Sequence, residues 1–140
     1  MRIGLCTGDR AEIRAAREAG FDYVELPRST AVAEAARIAD EDWPVEAVNL
    51  FLGQDDSVVK GFSDDWWEAM DGTLETLAEI GVATVVVGSG GQRRGSGERF
   101  FEFAARLSFA ATKFGLTVAP ENLRPEESDV GTDVRAFADA

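Results

Sequence analysis

The first residue placed to do chemistry is Glu121. It stands just beyond the apolar run Leu116–Ala119, with a second carboxylate, Glu127, six residues further on. A carboxylate at the end of a buried strand can take or return a proton, or bind a cation. It can equally be a solvated loop acid or a helix-cap partner. Glu127 lies in the acidic run Glu126-Glu127-Ser128-Asp129, a pattern that commonly marks a solvated surface.

A second group is the loop Gly88-Ser89-Gly90-Gly91-Gln92-Arg93-Arg94, which follows the apolar run through Val87. Unobstructed glycine amides, two guanidinium forks and a helix opening near Ser96 would suit a phosphate or a polyhydroxyl compound. The candidates there are Gly88, Ser89, Gly90, Arg93 and Arg94, and the alternative is a tight turn whose arginines pair with nearby acids. Glu25 and Asn49 end two further runs and read as substrate contacts or structural anchors. Cys6 reads as a small core residue.

Several kinds of chemistry are excluded. The 140 residues contain no histidine, which removes every Ser-His, Cys-His or histidine-metal site built from this sequence alone. One cysteine forms neither an internal disulfide nor a paired-cysteine zinc site. With 26 acidic against 14 basic residues the formal charge is −12, a field that repels phosphate backbones and anionic bilayers. Neither nucleic acid nor membrane is an expected partner. Nothing at the amino terminus reads as a signal peptide, so a cytoplasmic location is expected.

The elements that position these residues follow a repeating pattern. An alanine-rich helical stretch, a glycine and a short β-branched or aromatic run recur at Ala19-Gly20-Phe21, Ile80-Gly81-Val82 and Phe114-Gly115-Leu116. Glycine past a helix takes the left-handed conformation that ends it. The pattern predicts strands near 2–6, 22–26, 46–51, 83–88 and 116–120. It predicts helices from Asp9 to Ala19, with Glu12 completing a capping box, and from about Thr30 to Asp40. Further helices begin at Ser63, after Ser96 and near Thr132, the last running to Ala140. Trp66, Met70, Leu74 and Leu77 share a face of the third, and Phe100, Phe103, Leu107, Ala110 and Phe114 a face of the fourth. The connection from Phe51 to Phe62 has the length of a lid, and Trp66 and Trp67 after it read as packing.

Strand–helix alternation calls for a parallel sheet with right-handed crossovers. No Gly-x-Gly-x-x-Gly follows the first strand, whereas polar, glycine-rich segments follow several strand ends, as at the mouth of a barrel. A complete eight-stranded barrel takes about 250 residues. Residues 1–140 therefore read as one α/β domain, a partial (β/α)8 barrel of about five β/α units.

The segments Gly20-Phe21-Asp22-Tyr23-Val24-Glu25-Leu26, Val45-Glu46-Ala47-Val48-Asn49, Gly88–Arg94 and Ala119-Pro120-Glu121-Asn122-Leu123-Arg124-Pro125-Glu126-Glu127 occur in family order. In them the chain resembles the xylose isomerase-like barrels, the sugar phosphate isomerase/epimerase group. The resemblance implies a sugar or sugar phosphate as substrate and proton transfer next to a carbonyl through an enediolate. It also implies a divalent metal, Mg²⁺ or Mn²⁺ by preference, held by a glutamate, an aspartate, a histidine and a second glutamate on the last four strands. Glu121 matches the first of these, as both catalytic residue and metal ligand, and Glu127 a position that bonds substrate hydroxyls. Three metal ligands and the second catalytic glutamate have no counterpart here, so metal binding by this chain alone is expected to be weak or absent. The alternative function is a catalytically silent half-barrel that associates with itself or a partner through open sheet edges. Barrel endonucleases share the architecture but use histidine clusters and a basic DNA face, which this sequence lacks.

Overall fold

The computed structural model describes residues 1–88, 92 and 94–122. The order is β1 (Gly4–Cys6), α1 (Arg10–Glu18), β2 (Tyr23–Pro27), α2 (Arg28–Ala33), α3 (Ala35–Glu41) and β3 (Val45–Asn49). There follow α4 (Asp64–Glu79), β4 (Thr84–Val87), α5 (Glu98–Thr112) and β5 (Thr117–Pro120). The expected final helix from Thr132 lies outside the described residues.

Among the described residues the strands form one parallel sheet in the order β1-β2-β3-β4-β5. Sequential order has a strict consequence. Right-handed crossovers between successive neighbours put every helix on the same face, whereas a doubly wound sheet reverses direction and uses both faces. Burial follows this rule. Val24, Leu26, Val48, Val85 and Val87 point at the helices and are buried with Ile13, Ala16, Ile38, Leu74, Leu77, Phe100 and Leu107. Alternate residues such as Tyr23, Glu25, Asn49, Thr84 and Val86 lie on the other face and stay partly exposed. The chain is a partial (β/α) barrel, and among the described residues no helix covers its inner wall.

Local chemistry sets the element ends. Gly20, Gly81 and Gly115 take φ of 83°, 89° and 74° after α1, α4 and α5, as the repeating pattern predicts. The Asp9 carboxylate accepts from the Ala11 and Glu12 amides, and Ser63 Oγ accepts from Trp66 N at 3.2 Å. Glu12, expected to complete a capping box, instead accepts from the Thr7 hydroxyl, which itself accepts from Asp9 N at 3.0 Å. The helix expected over 30–40 is two, broken at Glu34 (φ −104°, ψ 9°), where the carboxylate pairs with Arg10 and Arg37. At the far end of the sheet Arg2 forks onto Glu46 and lies 5.5 Å from the Tyr23 ring centroid, tying three strands together. The Glu46 hydrogen bond and charge hold the Arg2 guanidinium above its ordinary pKa. Gly4 makes room for that ring, since a Cβ there would overlap it.

Candidate functional site

Parallel strands all end at the same rim, so Cys6, Pro27, Asn49, Val87 and Pro120 deliver their following residues to one place. Glu121 is the first residue past β5. Its N–H donates to Val87 O at 3.1 Å, which continues the β4–β5 ladder and fixes the backbone. Its side chain lies across Gly88, the first residue past β4. A Cβ at 88 would overlap the Glu121 carboxylate oxygen and come within 3.1 Å of its carboxyl carbon. Gly88 is buried and Glu121 exposed, so the carboxylate rests on bare backbone and faces the mouth. The two residues are 33 apart in sequence and adjacent only through the strand pairing.

Glu25 and Asn49 are also brought together. Asn49 Nδ2 donates to Glu25 Oε1 at 2.6 Å and to Cys6 Sγ at 3.0 Å, linking the ends of β1 and β3 to the middle of β2. Their register carries an irregularity between Val24 and Glu25, which places Pro27 beside Asn49. The second amide atom, Asn49 Oδ1, is buried and has no hydrogen-bond partner among the described residues. Cys6 is no core residue. It is exposed, because β1 is three residues long and alternation turns Gly4 and Cys6 to the uncovered face.

The connection after β3 differs from the lid its length suggests. Phe51, Leu52 and Val58 are buried in the core. Asp56 accepts from Gly53 N at 2.7 Å and from the Trp66 indole N–H at 2.9 Å. Gln92 donates to Gly53 O and accepts from Val58 N, fastening this loop to the one after β4. Trp66 and Trp67 pack with Phe62 and Phe103 at centroid separations from 4.1 to 6.1 Å. Leu50 is a mouth residue that sequence pattern misses: it takes φ of 45° and is 65% exposed directly after Asn49. The signal was an apolar residue interrupting the alternation at a strand end.

Arg94 is exposed in the turn leading to α5. Ser89, Gly90, Arg93 and Glu127 lie outside the described residues. Among the described residues no three His, Cys, Asp or Glu side chains come together to hold a metal ion. No helix among them is long and apolar enough to cross a membrane.

Neither a family model nor a curated protein sequence matches the chain. Solved structures do. D-psicose 3-epimerase with D-tagatose from Clostridium cellulolyticum H10 superposes with a TM-score of 0.77 at 14% identity, over 99% of this chain and 58% of that one. A D-psicose 3-epimerase in the presence of D-fructose gives 0.72 at 15% identity, over 93% and 55%. An L-ribulose 3-epimerase gives 0.67 at 20% identity, over 99% and 55%. The chain thus spans little more than half the length of the structures it matches. With its sequential parallel sheet and one-sided helices, it has the fold of a partial (β/α) barrel of the kind found in sugar epimerases and xylose isomerase-like proteins.

Proposed function

We propose that this chain forms the first five β/α units of a metal-dependent sugar or sugar-phosphate isomerase/epimerase. The observation that carries the reading is the Glu121 carboxylate, laid over Gly88 at the mouth of a barrel wall shared with solved sugar epimerases. Isomerisation or epimerisation removes a proton from the carbon next to a carbonyl and returns one, on another carbon or the opposite face. A carboxylate held at a strand end by its own backbone bond needs no reorganisation before it acts on that proton or on a cation. A divalent cation, when bound, would polarise the carbonyl and stabilise the enediolate. Glu121 would be one of its ligands, the rest coming from outside the described residues. Glu25 and Asn49 would offer acceptor oxygens to substrate hydroxyls from another part of the rim, Glu25 through its carboxylate and Asn49 through Oδ1, since the Asn49 N–H groups are engaged by Glu25 and Cys6. The glycine-rich loop with Ser89, Gly90, Arg93 and Arg94 would meet a hydroxyl or phosphate group.

The test is solvent exchange. The natural-length protein with Mn²⁺ is incubated in D₂O with a ketohexose, a ketopentose and their phosphates, and the sugars are analysed by NMR. Deuterium on a carbon adjacent to the carbonyl, lost in Glu121→Gln, is the expected result. Failure to exchange any member of the set rules the reading out.

The uncovered inner face and the outer strands β1 and β5 favour a second reading, a silent half-barrel that pairs with itself. Light scattering on the 140-residue chain would then give twice the 15.1 kDa chain mass. A compact monomer counts against it.

A further inference from the structure

We propose that the cleft between α4 and α5, on the helical side of the sheet, binds a small anion that carries a planar aromatic ring. The cleft is about 420 Å³, within the range of roughly 300–1,000 Å³ common for small-molecule sites. Its apolar wall is Val58, Phe62, Trp67 and Phe103; its polar rim is Lys60, Arg99, Arg106 and a single acid, Glu102.

Charge is the first argument. In a chain of net charge −12, where carboxylates far outnumber cations, three cations gather around one depression. Among the described residues the ion pairs are Arg2–Glu46, Arg10–Glu34, Arg37–Glu34 and Lys113–Asp71. Lys60, Arg99 and Arg106 are in none of them. Unpaired like charges around a partly apolar hollow repel one another, and an anion between them relieves that repulsion.

Shape and rigidity are the second. Arg99 Nη1 donates to Val59 O at 2.5 Å, which pins the loop forming one lip. The Arg106 guanidinium stands 4.1 Å from the Trp67 ring centroid, a cation–π contact that orients it. Phe62 meets Trp67 edge-on at 6.1 Å and Phe103 at 5.0 Å, so a flat ring finds aromatic surface next to fixed guanidinium groups. An inorganic ion gains nothing from that wall, and a neutral ring nothing from the cations. The net charge of the chain disfavours a long polyanion, leaving a ligand with one or two charges. Val58, Lys60 and Phe62 lie in the connection after β3 and the other lining residues on α4 and α5, and none of them is assigned a part in the proposed chemistry.

Calorimetric titration of the 140-residue chain with adenosine 5′-monophosphate and with 4-nitrophenyl phosphate tests the inference. Adenosine and inorganic phosphate are the comparison ligands. Saturable one-to-one binding of at least one aromatic phosphate is expected, with each comparison ligand at least about tenfold weaker. Arg106→Ala and Lys60→Glu, both exposed positions, should each weaken binding roughly tenfold with the circular dichroism spectrum unchanged, whereas Glu121→Gln should leave it unaltered. Absence of saturation with both phosphates overturns the proposal. So does adenosine binding as tightly as its phosphate, or affinity that survives both cleft substitutions.

Discussion

Alanine at position 88 is expected to lower turnover by the natural-length protein about 100-fold while leaving its fold intact, a size typical of displacing a reacting group by around an ångström. The added methyl would occupy the space of the Glu121 carboxylate oxygen and crowd its carboxyl carbon, at 3.1 Å. The Glu121 backbone is held by its bond to Val87 O, and β5 is held to β4 along its length, so the side chain must give way. The carboxylate then leaves the rim position that the proposed proton transfer requires. This prediction rests on that proposal, and its kinetic signature is specific: kcat falls while KM changes little. Glu121→Gln should be about as damaging, and the double variant no worse than either, since both remove the same group from the same place. Gly72→Ala is the control. It lies in α4, its Cβ would meet nothing within 4 Å, and a helix interior favours alanine by up to about 1 kcal/mol. Turnover of Gly88→Ala within about threefold of the unsubstituted protein would sever the link between Gly88 and the acid.

What could be read in the sequence, and what could not, divides along the range of the interactions. The helix-ending glycines at 20, 81 and 115 are legible because positive φ is a local demand. The runs at 45–49 and 84–87 are legible because burial against helices acts on each strand by itself. Glu121 is placed at a strand end by that same logic. Its seat on Gly88 is not legible, because only the pairing of β4 with β5 makes them neighbours. The Asn49 bridge to Glu25 and Cys6 depends likewise on the β2–β3 register and its irregularity, which alternation along one strand does not encode. The exposure of Cys6 is illegible for a related reason: a cysteine in an apolar strand reads as core until the sheet is known to carry the described helices on one face only. The break at Glu34 coincides with an ion-pair node. One carboxylate serves Arg10 on α1 and Arg37 one turn on, a bargain between elements that helical periodicity over 30–40 does not register.

Phe51→Ala is expected to destabilise the chain by about 3–5 kcal/mol, the range for emptying a buried phenylalanine site. The ring is fully buried, has the Arg28 guanidinium 5.5 Å from its centroid, and opens the connection that carries Leu52 and Val58 into the core. Domains of this size have about 5–15 kcal/mol in total, and a sheet covered on one face draws on less buried area than a closed barrel. The loss is therefore a large fraction of the whole. Its neighbour predicts the opposite behaviour. Leu50 holds a left-handed backbone at φ 45° and keeps its side chain in solvent. Leu50→Gly relieves strain of about 1–2 kcal/mol, offset by the roughly 0.5–1 kcal/mol that glycine's freedom adds to the unfolded state. The net change should lie within about 1 kcal/mol of zero. Urea unfolding followed by tryptophan emission measures both, since the Trp66 indole is hydrogen-bonded to Asp56 within the same loop. A cost below about 1 kcal/mol for Phe51→Ala would mean the ring is not seated in the core. A Leu50→Gly cost matching that of Phe51→Ala would mean position 50 is buried by contacts other than those described. Opposite responses at adjacent residues would show that the left-handed turn at Leu50 swings the chain so that Phe51 anchors the mouth from beneath.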